Sequence, residues 1–137
     1  RHLGLQFAKR PVKKIYVARV WGRVEERTGT VDLPLIVDWP NRPRQKVDHK
    51  DGRPARTEWR VIRADDAETR VRLTPVTGRS HQLRVHMASL GHPILGDPLY
   101  ATGAAADHPR LMLHAARLEL PHPVDGRQVV VESPVPF

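Results

Sequence analysis

Thr77-Gly-Arg-Ser-His-Gln-Leu-Arg-Val-His-Met-Ala-Ser-Leu90, followed by Gly91-His-Pro93, is the stretch on which the reading of this chain turns. Thr77-Gly-Arg-Ser80 reads as a turn, and Ser80 or Thr77 can cap a helix over His81–Leu90. Leu83, Met87 and Leu90 repeat at i, i+4 and i+7, which makes one core-facing stripe. Gly91 stands where a helix ends in a left-handed residue, and Pro93 stops it again.

The segments on either side read as strands. Upstream, Ala55–Arg63 and Thr69–Thr74 are rich in β-branched and aromatic residues and flank Ala64-Asp-Asp-Ala-Glu68, so they form a hairpin. Further upstream, Val12–Gly22 alternates, with Ile15, Val17 and Arg19 on one face and Tyr16, Ala18 and Val20 on the other. Thr30–Leu33 and Leu35–Val37 are short extended runs separated by Pro34. Trp39–Lys46 is a loop, because two prolines forbid helix and central strand. Downstream, Leu111–Leu120 and Gln128–Glu132 are strand candidates about a turn at His122–Gly126, although the Leu111 run also suits a helix by propensity. Arg1–Arg10 reads as the tail of a helix stopped by Pro11. The expected class is α+β, a mixed, mainly antiparallel sheet with few helices, in one unit over residues 1–137.

Composition narrows the function. The 137 residues carry 23 Lys and Arg, 15 Asp and Glu, and no Cys. Without Cys there is no disulfide framework, thiol nucleophile or thiolate-held metal. No apolar run approaches the ~20 residues of a membrane span. Residues 1–60 hold 15 basic and 7 acidic side chains, whereas residues 61–137 hold 8 of each, so the whole surplus lies in the first part. A basic half draws polyanions, nucleic acid first, and the bland alternative is a solvated basic surface. An anionic membrane would need a basic amphipathic helix, which the Pro, Gly and β-branched residues there preclude.

Within Thr77–His86, the amides of a helix N-terminus sit beside Arg79 and Arg84. Arg84 adjoins the Leu83 stripe, so it is expected to be partly buried and to need a carboxylate, and no near neighbour in sequence qualifies. That partner is either catalytic or part of a structural ion pair. His81 and His86 are five apart, about 140° around a helix, so they face different ways, whereas metal-binding helical pairs sit four apart. His114 lies in an apolar run and reads as a satisfied core histidine. Gly96-Asp97-Pro98 reads as a turn in which the acid accepts from backbone amides. Tyr16 follows Lys13 and Lys14 on a strand, which suits either an ordinary strand aromatic or a base-stacking surface flanked by charge. Arg42, Arg44 and Lys46 lie with Trp39 in one loop, which suits RNA backbone contact or a solvated basic loop.

Taken in order, Lys14-x-Tyr16-x-Ala18, Thr77-Gly-Arg-Ser-His-Gln-Leu-Arg-Val-His86, Gly91-His-Pro-Ile-Leu-Gly-Asp-Pro-Leu-Tyr100 and Leu113-His114-Ala115 resemble the RluA-type pseudouridine synthases over nearly the whole chain. Asp32-Leu-Pro-Leu35 and Asp38-Trp-Pro-Asn-Arg-Pro-x-Gln-Lys-Val47 resemble the RluA subgroup itself. The resemblance implies isomerisation of uridine to pseudouridine in tRNA or rRNA stem-loops, without cofactor or metal, by a cytoplasmic enzyme acting as a monomer. An Asp attacks the nucleoside, the glycosidic bond breaks, the uracil turns, and a C–C bond forms. By position, Arg84 would pair with that Asp, and Tyr16 would stack on the flipped uracil and help remove the C5 proton. Arg79 would hold phosphate. On charge grounds Lys13, Lys14, Arg42, Arg44 and Lys46 would do the same.

The family's nucleophile lies in an H-R-L-D motif upstream of Lys-x-Tyr, and this chain contains none. The expectation is therefore the C-terminal portion of a catalytic domain, inactive alone, with Arg84 left without its partner. The alternative is a non-catalytic RNA-binding module with the synthase fold. A third reading is an unrelated basic α+β protein.

Overall fold

The computed structural model describes residues 12–137; the expected helix over Arg1–Arg10 lies outside them. Eight strands and one α-helix follow in chain order: β1 (Lys13–Trp21), β2 (Thr28–Asp32), β3 (Leu35–Val37), β4 (Gln45–Val47), β5 (Arg56–Ala64), β6 (Glu68–Pro75), α1 (Gln82–Ser89), β7 (Leu113–Pro121) and β8 (Gln128–Glu132). Six strands make one sheet in the order β2-β5-β6-β1-β7-β8, and β3 and β4 form a separate ribbon. Every strand pairing among the described residues is antiparallel, so no mixed character is found there.

The sheet follows from alternation. In β1, Ala18 and Val20 point to the core with zero exposure. Val71 and Leu73 of β6 join them, with Val31 of β2 and Trp59 of β5. Leu83 and Met87 of α1 close over this face, together with Ile94, Leu95 and Met112. The helix also buries Val85 against Leu35 and Ala55, which ties the β3–β4 ribbon to it. Leu90, expected in the stripe, is 39% exposed, because the helix ends there and Gly91 turns the chain away at φ +86°. The Leu111 run is a strand, and its burial is only partial.

α1 begins later than expected and without a Ser80 or Thr77 cap. His81 occupies the cap position in a left-handed conformation, φ 55°, with no side-chain cap bond. The first turn is held instead by Gln82. Its Oε1 accepts from the Thr77 hydroxyl at 2.6 Å and from Arg79 N at 3.1 Å. Its Nε2 donates to Arg56 O and to Thr57 Oγ1, at 2.8 and 3.0 Å.

Thr57 then passes its own proton on. Its hydroxyl lies 2.8 Å from His86 Nδ1, and His86 Nε2 lies 2.9 Å from Leu33 O. The Leu33 carbonyl can only accept, so Nε2–H donates to it, and in the neutral ring that burial favours Nδ1 accepts from the Thr57 hydroxyl. His86 is thus a neutral, fully satisfied core histidine, and burial pushes its pKa down. His114, expected in that role, is only half-buried and bonds Ser133 Oγ at 3.1 Å.

Candidate active-site cleft

A cleft of about 580 Å³ opens where the start of β1, the end of β6 and the start of α1 converge. Tyr16 and Lys14 enter from β1, since alternate residues share a face. Leu83 and Arg84 enter from α1, Leu111 and Leu113 from the approach to β7, and Arg79 and His81 from the turn before the helix. A break in register between Ile15 and Tyr16 against β7 falls at the position that delivers Tyr16. The result is an apolar floor of leucines and one aromatic ring, rimmed by cations. Such a hollow suits a flat, weakly polar ring carried on an anionic chain.

Arg84 is paired, contrary to the expectation of no partner within this chain. Its Nε donates to Asp97 Oδ2 at 2.9 Å and its Nη2 to Oδ1 at 2.7 Å. The Asp97 side chain is fully buried and that of Arg84 is 16% exposed. Asp97 Oδ1 also accepts from Leu99 N at 2.9 Å and Tyr100 N at 3.2 Å, which is the turn expected at Gly96–Pro98. Burial alone would push the Asp97 carboxyl up, but the Arg84 hydrogen bonds and charge, with those two amides, hold it below its usual range. Arg84 is held charged by the same pair. The fork uses two of its nitrogens, and Nη1 has no protein partner among the described residues. That edge can receive a second carboxylate in the cleft.

Tyr100 links this pair to the β3–β4 ribbon. Its hydroxyl accepts from Gln45 N at 2.8 Å and lies 2.7 Å from His81 Nδ1. Arg44 and Arg84 both stand against its ring, 5.0 and 5.2 Å from the centroid. Arg44 also donates through Nη1 to Leu99 O. Arg44 therefore faces inward as a brace.

Of the residues singled out in the sequence, Tyr16, Arg84, Lys14 and Arg79 meet in the cleft. Arg79 is fixed by donation from Nε to Pro54 O at 2.8 Å. Lys13, Arg42, Arg44 and Lys46 do not line it. Lys13 points to the opposite face of β1 from Lys14. Arg42 folds over Trp39, 4.1 Å from the ring centroid, and Lys46 is exposed on β4, inside what reads as loop. Asp97, Tyr100 and His81 were missed as a group. The signal for Asp97 is an acid close after the buried apolar pair Ile94 and Leu95, where a charge has no place without a cation.

Among the described residues no helix is long and apolar enough to cross a membrane. A family model described as RNA pseudouridylate synthase matches residues 1–89. The chain is 55% identical over 139 aligned residues to the dual-specificity RNA pseudouridine synthase RluA of Escherichia coli K12, covering 100% of this chain and 64% of the relative. Against the RluA of Yersinia pestis it is 57% identical over 128 residues, 92% of this chain and 62% of that one. The chain thus spans somewhat under two-thirds of the length of these curated relatives. Among solved structures, human RNA pseudouridylate synthase domain containing 1 superposes with a TM-score of 0.82 at 32% identity, over 98% of this chain and 59% of that one. Human RNA pseudouridylate synthase domain containing 4, at 24% identity and a TM-score of 0.75, shares the fold.

Proposed function

The chain belongs to the RNA pseudouridylate synthase family, and from that premise we propose that its cleft receives a uridine flipped out of a tRNA or rRNA stem-loop and serves its isomerisation to pseudouridine. The supporting observation is the convergence of Tyr16, Arg84, Lys14 and Arg79 on one apolar-floored hollow. The residues 1–137 act as the C-terminal portion of a catalytic domain, in a cytoplasmic protein that works as a monomer on RNA.

The chemistry places separate demands on the site. An aspartate attacks the nucleoside, the bond between uracil N1 and ribose C1′ breaks, the base turns, and C5 bonds to C1′ as the aspartate is released. The C5 proton is lost and N1 gains one, so atoms balance without a redox partner. The chain has no H-R-L-D motif, and its buried acid in the cleft wall, Asp97, already has both oxygens occupied. The nucleophile therefore comes from outside these residues. Arg84 meets it through Nη1 and keeps it ionised. Tyr16 stacks on the uracil and takes part in removing the C5 proton. Lys14 and Arg79 hold the flanking phosphates at the rim, and Arg42 and Lys46 extend the contact along the backbone, whereas Lys13, on the opposite face of β1, takes no part in it.

The test is tritium release from stem-loop RNA labelled at uridine C5, with the full-length protein. Arg84→Ala is expected to abolish release with RNA binding largely kept. Tyr16→Phe keeps the stacking face and is expected to slow turnover. Full activity of the Arg84 variant would remove that residue from the reaction. The second reading, a non-catalytic RNA-binding module, rests on the missing motif, and it wins if the full-length protein binds RNA with steep salt dependence but releases no tritium.

A further inference from the structure

We propose that His81 touches the target nucleotide, donating a hydrogen bond from Nε2–H to one of its uncharged oxygens, and that the Tyr100 hydroxyl sets the tautomer that makes this possible. This rests on the reading of the cleft as a nucleotide site.

Three independent features converge on His81. It is the non-glycine residue with positive φ among the described residues, at 55°. A side chain costs energy there, and such strain persists where the surroundings enforce it. Its ring is fixed, edge-on to Tyr100 with 5.7 Å between centroids and an interplanar angle of 80°. And it lines the cleft that also holds Tyr16, Arg79 and Arg84. The backbone conformation at the start of α1 thus serves to aim one imidazole.

The proton inventory decides which nitrogen faces the cleft as a donor. Tyr100 Oη accepts from Gln45 N at 2.8 Å, and the phenolic proton has one acceptor among the described residues, His81 Nδ1 at 2.7 Å. Burial keeps that phenol protonated. With that proton given to Nδ1, both groups are satisfied within the protein and the ring carries its own proton on Nε2. His81 Nε2 has no hydrogen-bond partner among the described residues and is not one of the buried unpartnered atoms, so on a residue that lines the cleft it is left for a ligand. Burial, and then the nearby Arg84 charge, push the imidazole pKa down and keep the ring neutral. A neutral N–H beside two arginines complements a uracil carbonyl or a ribose hydroxyl. The phosphates are left to the cations.

The experiment uses the full-length protein, with tritium release from stem-loop RNA and imidazole nitrogen NMR. His81→Ala is expected to lower kcat/KM by about tenfold, the scale of one neutral hydrogen bond. His81→Gln places an amide N–H near the Nε2 position and is expected to restore most of that loss. His81→Asn places its amide at the Nδ1 position and is expected to restore none. Asn tolerates left-handed backbone better than His does, so its loss would not report strain. NMR of the unmutated protein is expected to show the Nε2–H tautomer, and Tyr100→Phe to convert it to a mixture. His81→Ala with unmutated kcat/KM, equal rates for Gln and Asn, or an Nδ1–H tautomer would each overturn the inference. No tritium release from the unmutated protein would instead defeat the reaction reading, with the tautomer still decided by NMR.

Discussion

Replacing Asp97 by Asn keeps the side chain's shape and removes its charge. The amide oxygen of the new side chain can still accept from Leu99 N, Tyr100 N and Arg84 Nη2, but its N–H groups would face Arg84 Nε, donor against donor. The Arg84 side chain is 16% exposed, so its unpaired charge is mostly desolvated. Breaking such a pair costs about 3–5 kcal/mol; with three acceptor contacts surviving, the low end applies, about 3 kcal/mol. For a domain this size that is a fall in Tm of about 10 °C. Urea denaturation of the 137-residue chain measures it, because a nucleophile on Arg84 Nη1 would mask the stranded charge; the loss is read as a shift of midpoint at constant slope. The double variant Arg84→Met with Asp97→Asn removes the stranded cation and is expected to recover most of the loss. The sign with pH follows from the depressed carboxyl: its stabilisation is complete above the ordinary aspartate value, about 3.9, and disappears as pH falls through the lower folded-state value. The gap between unmutated protein and Asp97→Asn should therefore close in acid. A loss below about 0.5 kcal/mol at neutral pH, or no recovery in the double variant, would refute the account of a charge stranded in a buried wall.

Two other outcomes follow from the packing. Gly29→Ala would drive a Cβ into the Trp59 indole, so the ring must shift against its core neighbours, and a loss of about 1–3 kcal/mol is expected in the same urea assay. His86 is buried as the neutral ring with its pKa pushed down, so stability is complete above the unfolded value of about 6.5 and falls as the solution is acidified towards the lower folded-state value. Midpoints measured between about pH 7.5 and 5 should show that fall, and it should be absent in a folded His86→Gln variant.

Local chemistry was legible and distant pairing was not. The β5–β6 hairpin reads directly because two β-rich runs flank an acidic turn, and Asp65 indeed accepts from Ala67 N and Glu68 N, at 2.8 and 2.9 Å. The end of α1 reads from Gly91. Its start does not, because the bonds that settle it run from Gln82 to Arg56 and Thr57 on another strand. Arg84 announces its need for a carboxylate by lying next to an apolar stripe. Its partner stays hidden because the chain first crosses beside β1, where Leu95 N bonds Arg19 O at 2.9 Å, and only then turns back. Tyr16 reaches the same cleft only through sheet order, which residue spacing does not encode. The motif resemblance supplied that grouping where periodicity could not.

The position of β1 also governs how the molecule is made. It is the first of the described strands to be synthesised, yet it sits inside the sheet, between β6 and β7. Its partner β6 is complete at Pro75, but β7 begins only at Leu113, a hundred residues after β1 does. At ribosomal speeds of about 5–20 residues per second, the Lys13–Ala18 half of β1 that pairs with β7 waits about 5–20 s for it. During that interval Lys13 and Lys14 at its head repel a second nascent chain, the guard that an open strand edge requires.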